Sequence, residues 1–162
     1  MIQGRITSNL PLVRKRFNKF FKKFPKITKI GLELAGLQLR EIILDKTSKG
    51  KDTHNRRFPP YSKGYSKAKG KTTVDLYDKG NMLQNFNSKV VNKNKVQLFF
   101  RSNKESNKAK WHHYGEGRLP KRSFFGYNKK TEVAIRKEFE KFMKRQIKGL
   151  KLWAKEKILQ VI

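Results

Sequence analysis

Trp111-His112-His113-Tyr114-Gly115, continued by Arg118-Leu119-Pro120-Lys121-Arg122-Ser123-Phe124-Phe125-Gly126, is the stretch from which the rest of the chain can be read. It is aromatic, punctuated by Gly115, Gly117 and Gly126, and stiffened by Pro120, which fixes its own φ and pushes Leu119 into an extended conformation. These features predict a shaped loop. The Phe124-Phe125 pair sets the start of a long amphipathic helix. Within the loop, Arg122 sits between a residue of fixed φ and an aromatic anchor. Its planar guanidinium is expected to pair with a carboxylate on a neighbouring subunit.

Working outward, Thr131 to Gln160 carries Ile135, Phe139, Phe142, Met143, Ile147, Leu150, Trp153, Ala154 and Ile158 in helical phase, with Gly149 a kink or break. On the other side, Asn103 to Lys110 reads as a polar connection. Asn87–Asn92 and Lys95–Ser102 read as antiparallel strands joined at Asn92-Lys93-Asn94, because Val96, Leu98 and Phe100 alternate. Asp78 is a candidate N-cap for a short helix burying Met82, Leu83 and Phe86.

Residues 47–73 read as loop, rich in Lys and Arg, with Asp52 the sole acidic residue. Arg56, Arg57, Lys63, Lys67, Lys69 and Lys71 are candidate contacts for phosphate or for an acidic partner, and Tyr61 and Tyr65 for stacking on bases. Residues 27–46 form a helix with a wide apolar arc. Residues 10–24 form a basic amphipathic helix that Pro25 ends.

The 162 residues hold 41 Lys and Arg against 12 Asp and Glu, a formal charge of +29. Such a charge calls for anionic neighbours, whether nucleic acid, an acidic protein surface or anionic lipid. Without cysteine, thiolate chemistry and Cys-ligated zinc are excluded. No apolar run approaches the roughly 20 residues of a membrane span, so no membrane partner is expected. Nor is a secretory signal seen, so synthesis in the cytoplasm is expected. His112 and His113 project differently and lack a third ligand, so one is expected to pack under the loop and the other to face solvent. Glu33 and Glu41, eight positions apart on one helix, lie roughly 12 Å from each other, too far for shared chemistry. No phosphate-binding glycine loop, nucleophile elbow or carboxylate cluster is present. The expectation is a protein that is not an enzyme and uses no cofactor.

Four segments, in order, carry a resemblance. They are Phe58-Pro59-Pro60-Tyr61-Ser62, Leu76-Tyr77-Asp78-Lys79-Gly80-Asn81-Met82-Leu83, Ala109-Lys110-Trp111-His112-His113-Tyr114-Gly115, and Leu119-Pro120-Lys121-Arg122-Ser123-Phe124-Phe125-Gly126. Together, over about residues 30–148, they resemble the virion morphogenesis and tail completion proteins of tailed phages, and more distantly the head–tail connector proteins. Ser123 stands where that family's loop usually has a second proline. The resemblance implies a structural virion protein, made in the host cytoplasm and placed at the neck or tail. It would assemble as a homo-oligomeric ring beside portal, neck or tail proteins, with DNA passing non-specifically.

The expected fold is α+β: a small antiparallel sheet flanked by helices, with a long basic loop and a long C-terminal helix. The expected organisation is a basic N-terminal arm over 1–25, the α+β domain over 26–148 and a helical extension over 149–162. The assembly loop would use Trp111, His112, Tyr114, Gly115, Pro120, Arg122, Phe124, Phe125 and Gly126. The alternative is a standalone basic protein that binds nucleic acid without sequence preference.

Overall fold

A computed structural model describes residues 10–159, with side chains described at position 18 and over 22–148. The fold is α+β. Its elements are α1 (Leu10–Ser48), α2 (Lys63–Lys69), α3 (Asn81–Gln84), β1 (Phe86–Asn92), β2 (Lys95–Phe100), α4 (Asn103–Tyr114) and α5 (Lys129–Leu159). β1 and β2 form an antiparallel hairpin, with Phe86 opposite Phe100 and Val90 opposite Val96. As the alternation of Val96, Leu98 and Phe100 requires, one face of the hairpin turns inward. There Phe86 is fully buried, its ring 5.2 Å from that of Phe100 and 5.5 Å from that of Phe125. Ile43 of α1, Phe58, Val74, Leu76, Met82, Leu83, Ala109 and Phe124 complete the core.

α1 is the frame, and two glycines let it serve as one. A Cβ on Gly36 would lie 2.6 Å from the Val96 Cγ1, and a Cβ on Gly31 would lie 2.8 Å from the Phe139 ring. The bare backbone of α1 thus rests on the hairpin at one point and on α5 at the other. Lys46 Nζ, near the C-terminal end of α1, lies 3.5 Å from the Thr131 hydroxyl near the start of α5. With Gly31 against Phe139 and Phe142, this makes the two helices antiparallel.

Several expectations need correction. α1 runs through Pro25, which sits inside a 39-residue helix and does not end it. An interior proline removes one i→i−4 bond and costs about 3 kcal/mol. That cost is local, and the helix resumes directly into the segment packed on α5 and the hairpin. The boundary drawn at 25/26 therefore lies inside α1, and that at 148/149 lies inside α5, which continues past Gly149. The apolar side chains of the 10–24 helix as far as position 21, and those expected at Leu150, Trp153, Ala154 and Ile158, lie outside the described ones.

Asp78 is not the cap of α3. Gly80 is, with φ 81° and no side-chain bond. The basic loop is not structureless, because it contains α2, whose N-cap Ser62 accepts from Tyr65 N–H at 3.3 Å and whose C-cap is Gly70. Asp52 orders the rest. Its Oδ1 accepts from His54 N–H at 2.8 Å and Arg56 N–H at 2.9 Å, and its Oδ2 from Arg56 Nε at 2.8 Å. Asn128 begins α5, its Oδ1 accepting from Thr131 N–H at 3.0 Å.

Gly36→Val should lower unfolding stability by about 1–3 kcal/mol through overpacking against Val96. Gly64→Ala, where an added Cβ meets nothing within 4 Å, should be neutral or stabilising by up to about 1 kcal/mol. Urea denaturation of the two variants beside the parent chain checks both.

Candidate functional site

The expected loop over 111–126 divides into two parts. Trp111 to Tyr114 are the last turn of α4, and only the residues after Gly115 are loop. The helix form follows from signals at both of its ends. Ser102-Asn103-Lys104-Glu105 has the Ser-x-x-Glu spacing of a helix start, although Ser102 makes no side-chain cap bond here. Gly115, with φ 76°, closes the last turn, its N–H bonding to the Trp111 carbonyl at 2.9 Å. A Cβ at Gly115 would lie 2.7 Å from the Lys121 nitrogen. The glycine lets the returning loop pass close enough for Arg122 N–H to donate to the His112 carbonyl at 2.7 Å.

That return carries Arg122 inward. Its residue exposure is 3%. Nε donates to the Pro59 carbonyl at 3.3 Å and an Nη to the Pro60 carbonyl at 3.2 Å, and the guanidinium carbon lies 5.2 Å from the Tyr61 ring centroid. The expected pairing of Arg122 with a neighbouring subunit's carboxylate is therefore corrected: the side chain is buried, and its guanidinium bonds two carbonyls of its own fold. The proline rings fix φ at both positions, so Pro59 and Pro60 present their two carbonyl acceptors on a stiff segment.

Tyr61 extends the junction. Its hydroxyl accepts from Lys69 Nζ and from Leu76 N–H, each at 3.2 Å, and lies 3.4 Å from Asp75 Oδ1. Lys69 closes a direct ion pair with Asp75 and also lies 4.8 Å from the Tyr61 ring centroid. Burial alone would raise the Asp75 pKa, but the Lys69 bond and the Tyr77 N–H hold it below its ordinary value. Leu76 sits at φ 52°, a conformation that branched side chains resist. Its buried side chain and the Tyr61 bond hold it there. Tyr61 is thus internal, which corrects its expected role in stacking on bases. Tyr65 is exposed, its ring 4.8 Å from that of Tyr61.

The histidines are also corrected. Neither faces solvent freely. His113 Nδ1 accepts from Phe125 N–H at 3.3 Å, so that nitrogen is unprotonated. His112 Nδ1 is buried with no hydrogen-bond partner. Burial lowers the pKa of both, reinforced by the Arg122 cation at His112 and by the Lys121 cation at His113.

What remains on the surface is an apolar rim above this junction. Trp111 is 46% exposed and Tyr114 60%, and Leu119 and Tyr127 are exposed as well. Pro120 is exposed, whereas Phe124 is buried and Phe125 and Gly126 are partly buried. Among the candidate anion contacts, Lys69 is consumed by Asp75 and Arg56 by Asp52, and Lys71 lies 3.7 Å from Asp75. Arg57, Lys63 and Lys67 are exposed, together with Lys51, which pairs by backbone with Arg57. Lys67 and Lys71 line an open cleft of about 650 Å³ with Ser48, Ser66, Thr72 and Thr73. Among the described residues no group of three His, Asp or Glu side chains is arranged to hold a metal ion, and no helix is long and apolar enough to cross a membrane.

Comparison of the chain with protein-family models, with curated proteins and with solved structures finds no match.

Two outcomes follow from this geometry. Arg122→Ala should lower unfolding stability by about 1.5–3 kcal/mol, since two carbonyls lose a charged donor. Lys121→Ala, exposed one position earlier, should stay within about 0.5 kcal/mol of the parent in the same urea titration.

The second concerns pH. A histidine whose folded pKa lies below its unfolded value binds more protons when unfolded, so stability rises with pH across that window. The contribution is complete above the ordinary value near about 6.5 and is lost as pH falls below it. The melting temperature should therefore drop in mild acid, and the His112 and His113 ring resonances should titrate below the ordinary midpoint by NMR.

Proposed function

We propose that this chain is a structural, non-enzymatic subunit of a tailed phage. It would assemble as a homo-oligomeric ring at the neck, joining head to tail or completing the tail, with portal, neck or tail proteins as neighbours. The observation that supports the reading best is the junction itself. The four segments that resemble the phage family are far apart in the chain yet share bonds. Arg122 reaches the Pro59 and Pro60 carbonyls, Arg122 N–H reaches His112, and Tyr61 reaches Leu76. Segments that hold one another in this way have reason to recur together in one order.

Under this reading the junction is a platform and the exposed Trp111, Tyr114 and Leu119 are the contact surface. Aromatic side chains on a rigid support lose little entropy on docking and serve as interface anchors. A second reading, a standalone nucleic-acid-binding protein without sequence preference, is favoured by one observation. Lys51, Arg57, Lys63 and Lys67 are exposed and, among the described residues, lie within ion-pair distance of no carboxylate. That arrangement would bind phosphate electrostatically, with an affinity that falls steeply as salt rises.

Electron microscopy and light scattering of the purified chain at near-physiological salt test the ring. Closed rings are expected. Trp111→Ala with Tyr114→Ala should abolish them while leaving the urea midpoint within about 0.5 kcal/mol in stability terms. An antibody against the chain should label the head–tail junction of virions. A monomer at all concentrations, with no labelling of virions and salt-sensitive binding to any duplex, would establish the second reading instead.

A further inference from the structure

The hairpin has two edges, and they are finished differently. Arg101 N–H donates to the Asn85 carbonyl at 3.0 Å. In the register that sets Asn87 opposite Phe99 and Ser88 opposite Leu98, this places the bonded pairs at 85, 87 and 89 of the first strand. The backbone groups of Phe86 and Ser88, and those of Leu98 and Phe100, then point away from the partner strand.

On β1 two of these outward groups, the Phe86 carbonyl and the Ser88 N–H, are bonded. Arg40 Nε donates to the Phe86 carbonyl at 2.7 Å, and the Asn87 side chain accepts from Ser88 N–H at 3.0 Å. The ladder is also irregular between Val90 and Asn92, which bends the edge. On β2, among the described residues, nothing bonds the N–H or carbonyl of Leu98 or Phe100, and no third strand is present. One edge is partly capped by side chains and kinked, and the other is left as a template.

Charge says what fits that template. From Lys79 to Lys104 the chain contains no acidic residue, while Lys89, Lys93, Lys95, Arg101 and Lys104 surround the hairpin. A second copy pairing antiparallel about Leu98 would set Lys95 opposite Arg101 at both ends, and an in-register parallel pairing would set Lys95 against Lys95. Like charges directly opposite one another destabilise a strand pair. We propose that the free edge of β2 is a strand-addition site for an extended acidic segment of a partner protein. Main-chain bonds to Leu98 and Phe100 supply the register, and the lysines select the sign of charge. The inference stands on the hairpin alone and holds whether or not the chain works at a phage neck.

The test uses the full chain, labelled with nitrogen-15, and a ten-residue peptide alternating glutamate and valine. With the peptide present, amide exchange at Leu98 and Phe100 should slow by about tenfold or more, with Phe86 and Ser88 unchanged. N-methylation of the peptide along its bonding edge should remove the protection, and N-methylation along the other edge should keep it. Lys95→Glu, at an exposed position beside the turn, should weaken peptide binding by up to about fivefold. The proposal is overturned if the peptide leaves these amides unprotected, or if a lysine–valine peptide protects them equally. Protection of the β1 amides instead, or of Leu98 and Phe100 in the chain alone because a second copy already occupies the edge, would also overturn it.

Discussion

The Arg122 guanidinium, seated on the Pro59 and Pro60 carbonyls and beside the Tyr61 ring, is the constraint on which the junction depends. A cation removed from water must recover its hydration from fixed groups, and leaving it uncompensated costs several kcal/mol. Here the compensation comes from neutral groups: two carbonyls and an aromatic face. Neutral acceptors cannot be replaced by a shift in protonation, so both flanking segments must hold their positions. The Gly115 turn, the Pro59-Pro60 segment and the Tyr61 bonds to Leu76 and Lys69 are the means of holding them. Burial lowers the pKa of the neighbouring His112, and the same cation reinforces the shift.

The frame beneath the junction works by close approach rather than by bulk. α1 presents backbone at Gly31 and Gly36 to Phe139 and Val96, which brings helix and hairpin nearer than ordinary side chains allow. Its other surface keeps Ile30, Leu34 and Leu37 exposed at helical spacing. A stripe of this kind is apolar surface that the described residues leave uncovered. Most acidic side chains are engaged within the chain, Asp52 with Arg56 and Asp75 with Lys69 among them. The positive excess is consequently left on the outside.

The hairpin was legible in the sequence because alternation over a strand is a local signal, and the Asn-rich turn between the strands is another. The C-terminal helix was legible from its phase, and Gly115 as a hinge from its type. The last turn of α4 was not, because Trp111 to Tyr114 have weak local preference and the deciding signals, Ser102-x-x-Glu105 and Gly115, stand at the two ends. Pro25 misled for the converse reason. Its local penalty is real, but a helix held by α5 and the hairpin can absorb it. Arg122 was rightly singled out as a restrained side chain, yet its direction could not be read, since its partners lie more than sixty positions away.

The sequence by itself determined the α+β class, the strand pair, the long helical segments and the cationic character, all of which follow from periodicity, turn chemistry and composition. Only the tertiary structure decided which cations are paired within the fold and which remain in water. Lys63, Lys67 and Lys69 look alike in the chain, but Lys69 meets Asp75 and Tyr61 while the other two stay in water. It also decided that Arg122 faces inward and that one edge of the hairpin is partly capped by side chains. The physical reason is the same in each case: desolvation and hydrogen-bond satisfaction depend on what arrives from distant parts of the chain, and no local pattern encodes that arrival.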